Sequence, residues 1–139
     1  MLRFALLAAA LLTAVPLHAQ TIKIGLVTAL SGQSARAGEA ITRGLQVAID
    51  EINAKGGVLG RKLELVRRDD EATPAKGVIA ARELLFKEKV AVLFGGLDTP
   101  VSLAIVPIVN ENKMVFVGPW AAGTPITKNG AKDLSLIHI

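Results

Sequence analysis

Six consecutive residues, Gly95-Gly96-Leu97-Asp98-Thr99-Pro100, combine two conformationally free glycines, a carboxylate, a hydroxyl and a proline. Asp98 or Thr99 followed by Pro100 supplies an N-cap and a first-turn proline for a helix. Thr99 then stands at a helix start, where unpaired N–H groups and a hydroxyl together form a receptor for an anion. The simpler reading is that Thr99 does no more than cap the helix. Thr124-Pro125 repeats the same signal after Gly118-Pro119-Trp120-Ala121-Ala122-Gly123. A third group, Asp69-Asp70-Glu71, could hold a metal or act as acid and base. Three acids just ahead of Thr73-Pro74, a further cap-plus-proline start, are more simply solvated charge near a helix N-terminus.

Other chemistry is narrowed by what is missing. The sequence has no cysteine, so thiol catalysis and disulfides are excluded. Its two histidines are His18 and His138, which leaves no imidazole in the body of the chain for a triad or a metal site. Neither G-x-G-x-x-G, nor G-x-x-x-x-G-K-[ST], nor G-x-S-x-G occurs, and no cofactor is expected. The net charge of +4 is too small to suggest nucleic acid, and Arg67-Arg68 runs directly into the three acids.

The elements that must position these residues follow from periodicity. Val90–Phe94 is an uninterrupted apolar run, as expected of a strand buried on both faces of a parallel sheet. Thr21–Leu30 reads as the first strand, followed by a loop and a helix from about Gly38 to Asn53. Ile41, Leu45, Ala48, Ile49 and Ile52 form the helix's inward stripe, and Gly56-Gly57 form its stop. Arg61–Arg68 is expected as a second strand near an edge. The helix after Thr73 would bury Val78, Ile79, Ala81, Leu85 and Phe86. Pro100–Asn112 reads as a third helix that Pro107 kinks or stops, and Met114–Val117 as a fourth strand. This βαβαβαβ order predicts an α/β fold with a doubly wound parallel sheet and right-handed crossovers. The junctions at Thr99 and Thr124 then share one sheet edge, the carboxyl edge where ligands bind in such folds.

Met1–Ala19 has a basic start at Arg3, an apolar run from Phe4 to Val15, Pro16 and a small residue at Ala19. It reads as a secretory signal peptide cleaved near Ala19, which places the mature chain in the periplasm. The leader also accounts for part of the 51% apolar composition, so that figure does not argue for a membrane span.

Several stretches together resemble the type I periplasmic solute-binding proteins of branched-chain amino-acid ABC transporters. They are the opening IKIGLVTALSGQSARAGEAITRGLQVAID, with LSG at Leu30–Gly32, then AIDEINAKGGVLGRKLEL at Ala48–Leu65 and DDEATP at Asp69–Pro74. The resemblance runs from Ile22 to about Gly130. It implies that residues 20–133 are the N-terminal part of a Rossmann-like first lobe of a two-lobed protein. Such a protein closes on an amino acid or related small carboxylate and delivers it to a membrane permease. It further implies that the ligand carboxylate sits at Thr99 beside Asp98, that more contacts come from Trp120, Ala121 and Ala122, and that Ser31 to Ala37 form a side wall. Relatives often carry an aromatic residue near Ala37 and a threonine near Ala122, and leucine-type binders join the positions of Ala72 and Asp98 by a disulfide. This chain has none of the three. The second lobe, with an acid for a ligand ammonium, would lie beyond residue 133. Residues 134–139 read as a non-native tail, with a genuine apolar strand as the alternative. Two other functions fit less well: the ligand-sensing domain of a receptor or amide-type regulator with the same fold, and an exported α/β hydrolase.

Overall fold

A computed structural model describes residues 20–128 and 134–136. The expected leader, residues 1–19, lies outside the described residues. In chain order the elements are β1 (Ile22–Thr28), α1 (Ala35–Ala54), β2 (Leu63–Asp69), α2 (Pro74–Arg82), β3 (Val92–Gly95), α3 (Thr99–Glu111), β4 (Phe116–Gly118), α4 (Thr124–Lys128) and β5 (Leu134–Leu136). A π-helical turn, Glu83–Glu88, extends α2. The strands form one parallel sheet in the order β2-β1-β3-β4-β5. The doubly wound expectation therefore holds, and the order reverses direction between β1 and β3, which is the topological switch point of the sheet. Leu134–Leu136 pairs with β4, taking the strand conformation weighed against a non-native tail. That pairing concerns conformation and says nothing of where those residues come from.

The main core lies between the sheet and the α2/α3 layer, where Val27, Leu93 and Phe116 meet Ala81, Leu84, Val101, Ile105 and Val109. Right-handed crossovers put α2 and α3 on this face and α1 on the other. One consequence corrects the expectation for β3. Leu93 is fully buried, but Val92 and Phe94, on the α1 side, are only partly covered. The second-strand expectation holds in kind, since β2 is the edge strand, displaced to Leu63–Asp69.

The helices differ from their periodicity in instructive ways. Helix α1 starts at Ala35, one turn before Gly38, because Gly38 is not a boundary but a point of close approach to the end of β1. Its buried residues are Gly38, Thr42 and Ile49, whereas Ala48 is exposed and Ile52 is partly so. The glycine stop holds: Gly57 N–H donates to Ile52 C=O, and Gly56 and Gly57 have φ of +103° and +83°. In α2, Ala80, Ala81, Leu84 and Leu85 face the core, while Ile79 and Phe86 point outward. The buried set Gly77, Ala80, Ala81, Leu84 and Leu85 keeps a helical stripe through the π turn, and Ile79 and Phe86, seven residues apart, share the opposite face. Helix α3 neither stops at Pro107 nor loses its inner face, because Pro107 lies on the exposed side and Ile105, Val106, Ile108 and Val109 remain buried.

Candidate functional site

The three segments leaving β1, β3 and β4 share the carboxyl edge of the sheet, with the switch point between the first two. Each is held by a local device.

The turn after β3 is built around Gly96, at φ +68°. A Cβ there would fall 2.7 Å from Ser102 Cβ, so only glycine allows α3 to fold back this closely. The Ser102 hydroxyl then donates to Gly96 C=O at 2.8 Å in a fully buried contact. Asp98, extended at φ −92° and ψ 136°, is the N-cap residue, and its C=O accepts from Val101 and Ser102 N–H. Its side chain makes no capping hydrogen bond. Thr99 is the first helical residue, half-buried, and is not the cap. The loop after β4 rests on it: a Cβ on Gly123 would collide with the Thr99 methyl and approach Thr99 Oγ1 to 3.2 Å.

The loop after β1 is tied down by β2. Thr28 pairs in register with Asp69, whose Oδ1 accepts from Leu30 N–H at 2.9 Å and from Glu71 N–H at 2.8 Å. Burial pushes the Asp69 carboxyl up, but those two N–H groups and the Ser31 hydroxyl outweigh it and hold the group below the usual carboxylate range. Asp70 is 0% exposed, and its Oδ1 accepts from Ala72 N–H at 2.8 Å. The two carboxylates thus pin Glu71 and Ala72, which sit at φ +50° and +55° without being glycine. Burial pushes the Asp70 carboxyl up, and the Ala72 N–H only partly offsets this while the Asp69 and Asp98 charges add to it. Asp70 Oδ2, Asp98 Oδ2 and Thr28 Oγ1 are buried with no hydrogen-bond partner among the described residues. The solvated-charge reading of the acids therefore fails for Asp69 and Asp70, which are structural. Glu71 is exposed and pairs with Lys76 at 2.5 Å.

Of the residues singled out from sequence, Thr99, Asp98 and the Trp120–Gly123 loop come together at this edge. Ser31 is exposed in the loop after β1, and Ala37 lies inside the first turns of α1 instead of in that loop. Trp120 is 63% exposed and Ala122 is exposed, but the Ala121 side chain belongs to the core, so only its backbone can meet a ligand. Sequence reasoning missed the positioning roles of Asp69, Ser102, Gly38 and Gly123, which hold the loops from behind. A hollow of about 690 Å³ lined by Gln20, Lys23, Arg61 and Glu88 lies at the opposite, amino edge, away from these loops. No group of metal-ligating side chains is found among the described residues, and no helix there is long and apolar enough to cross a membrane.

A parallel sheet with its switch-point loops and a helix start on one edge has the arrangement at which open α/β folds bind ligands. The family model described as periplasmic binding protein matches residues 21–133. The chain belongs to the periplasmic binding protein family. Its relatives are type I periplasmic binding proteins of the leucine/isoleucine/valine-binding group. Among relatives of this binding protein, the Leu/Ile/Val-binding protein BraC3 of Rhizobium johnstonii is 36% identical over 119 residues, covering 86% of this chain and 32% of the relative. A Streptococcus pneumoniae branched-chain amino-acid substrate-binding protein, solved with isoleucine, superposes with TM-score 0.79 at 32% identity, over 84% of this chain and 33% of that one. An R. palustris ABC-transporter solute-binding protein solved with benzoate gives TM-score 0.75 at 34% identity, over 84% and 32%. The chain thus spans about a third of the length of the relatives it matches.

Proposed function

We propose that this chain is the first-lobe portion of an ABC-transporter solute-binding protein. It is exported behind a cleaved leader, captures an amino acid or related small carboxylate in the periplasm, and hands it to a membrane permease. The observation that carries the reading is the convergence of the β1, β3 and β4 exits at the switch point, with the α3 start presented at Thr99. The Thr99 hydroxyl and the first N–H groups of α3 receive the ligand carboxylate. The exposed Ser31 loop and the start of α1 near Ala37 form one side of the cleft. Trp120, the Ala121 backbone and Ala122 form the other, and Asp98 sets the helix start. Isoleucine and benzoate, the ligands of two relatives, are both small carboxylates, which supports that class for this chain. The reading needs no turnover.

Calorimetry on a full-length protein carrying this chain, against a panel of amino acids and aromatic acids, tests it. Saturable binding of at least one carboxylate is expected. Absence of any binder, with hydrolysis of an ester or amide by the same protein, would refute it.

A further inference from the structure

The three turns that enter β2, β3 and β4 at the amino edge each hold one non-glycine residue at positive φ: Leu59 at +50°, Lys89 at +56° and Lys113 at +51°. Glycine takes this conformation at least cost, and Gly56, Gly57 and Gly60 supply it within the same α1–β2 turn. A leucine and two lysines kept there against that cost point to a use for their side chains. Leu59 is 94% exposed, and Val58 and Val115, in the same set of turns, are exposed as well. Around them Lys55, Arg61, Lys62, Lys89 and Lys113 have no carboxylate partner among the described residues. Glu88, the acid among these turns, is already paired with Lys23 and Arg68. Asp69, Asp70, Glu71 and Asp98 lie at the carboxyl edge, so charge is polarised between the two edges. The hollow of about 690 Å³ lies between the first two turns and is walled by Gln20, Arg61, Lys87 and Lys89. Arg61 Nε donates to Gln20 C=O at 2.6 Å, so the chain enters the fold at this hollow, directly after residues 1–19, the stretch read as an apolar leader.

We propose that the amino edge is a docking surface for an anionic phospholipid bilayer, with Leu59 entering the acyl boundary and Arg61, Lys89 and Lys113 meeting headgroup phosphates. An apolar tip ringed by cations is the composition of a membrane-surface contact. A soluble polyanion would use the cations and leave Leu59 without a role. A leader held in the membrane would bring this edge, and no other, against the bilayer, because it joins the chain at Gln20. The ligand loops lie on the opposite edge and stay free. The inference goes beyond the carrier reading and depends on it only for export.

The test uses a full-length protein carrying this chain and begun at Gln20, so that the leader's own apolar run does not contribute. It is titrated with vesicles of phosphatidylglycerol and phosphatidylcholine in equal parts, and with vesicles of phosphatidylcholine alone, in a sedimentation assay. Binding to the anionic vesicles only is expected, weakening as salt is raised. Asparagine tolerates positive φ, so Lys89→Asn with Lys113→Asn removes two charges without disturbing the turns, and should lower vesicle affinity about 25-fold at about fivefold per charge. Leu59→Asn should lower it about tenfold. Lys76→Gln, at the other edge, should change nothing. Thermal melts and carboxylate binding of the amino-edge variants should match the parent. Equal binding to the two kinds of vesicle, unchanged affinity in either amino-edge variant, or binding of inorganic phosphate in calorimetry without binding of vesicles overturns this inference and leaves the carrier reading standing. Vesicle binding as expected in a protein that takes up no carboxylate overturns the carrier reading alone.

Discussion

Gly38→Ala and Gly44→Ala make the same chemical change on the same helix and are expected to move stability in opposite directions. A methyl on Gly44 meets nothing within 4 Å. Removing glycine's backbone freedom from a helix interior should therefore stabilise by about 0.5–1 kcal/mol. A methyl on Gly38 would lie well inside contact distance of the Ala29 carbonyl oxygen, 2.9 Å from the Ala29 carbonyl carbon and 3.1 Å from Thr28 Oγ1. The obstacle is main chain at the end of β1, so it cannot rotate away, and α1 must retreat from the sheet. Overpacking of this kind costs roughly 1–3 kcal/mol, and the upper end applies where backbone meets backbone. Set against the same helix-propensity gain, the net is about 1–2 kcal/mol of destabilisation. The two variants should then differ by roughly 2–3 kcal/mol, on the order of 30- to 150-fold in the folding equilibrium. Urea melts of a full-length protein carrying this chain, with the slopes checked for equality, measure the difference directly. Because α1 follows the Ser31 loop, Gly38→Ala should also weaken ligand binding while Gly44→Ala leaves it unchanged. Equal midpoints for the two variants would refute the account of Gly38 as the contact that sets α1 against the sheet.

Asp70→Asn keeps an oxygen for Ala72 N–H and removes a buried charge whose Oδ2 has no partner, so it should stabilise by about 1–2 kcal/mol at neutral pH. Because the folded Asp70 carboxyl is raised, its unfavourable contribution is absent below the unfolded value and grows as pH rises through the folded one; the gain from Asp70→Asn should shrink in acid melts. Asp69 has the opposite sign: its lowered carboxyl contributes stability above the unfolded value that is lost as pH falls through the folded one. Asp69→Ala should cost about 2–3 kcal/mol by releasing Leu30 and Glu71 N–H, with the loss largest at neutral pH and fading in acid; a pH-independent loss would argue against the hydrogen-bonded carboxylate. Thr99→Ser should keep ligand binding and Thr99→Asp should abolish it, since a second negative charge would occupy the carboxylate's place. Unchanged affinity in a stable Thr99→Asp variant, read by calorimetry, would remove Thr99 from the site.

The alternation of apolar runs with helical periods was enough to determine the parallel α/β architecture, because a strand buried between layers and a helix with one inward stripe leave different spacings of apolar residues. The glycine and proline signals at Gly95–Pro100 and Gly56-Gly57 also marked real turns, since positive φ and a missing N–H are properties of single residues. Tertiary structure decided what depends on neighbours distant in sequence. Asp98 and not Thr99 takes the cap position, because Gly96 and Ser102 bring α3 back against β3. Gly38 looked like the edge of a helix, and only the carbonyl of Ala29 shows it to be a packing contact. Ile79 and Phe86 looked inward until the packing of α2 against the sheet and α3 chose the stripe through Ala80, Ala81, Leu84 and Leu85 as the buried face. Asp69 and Asp70 looked like solvent-facing charge until burial and the amides of Leu30, Glu71 and Ala72 made them the struts of the turn after β2. A carboxylate's role depends on which N–H groups reach it and how much water remains, and both are set by the packing of β1 and β2 together with the turn that follows Asp70, not by the residue's place in the chain.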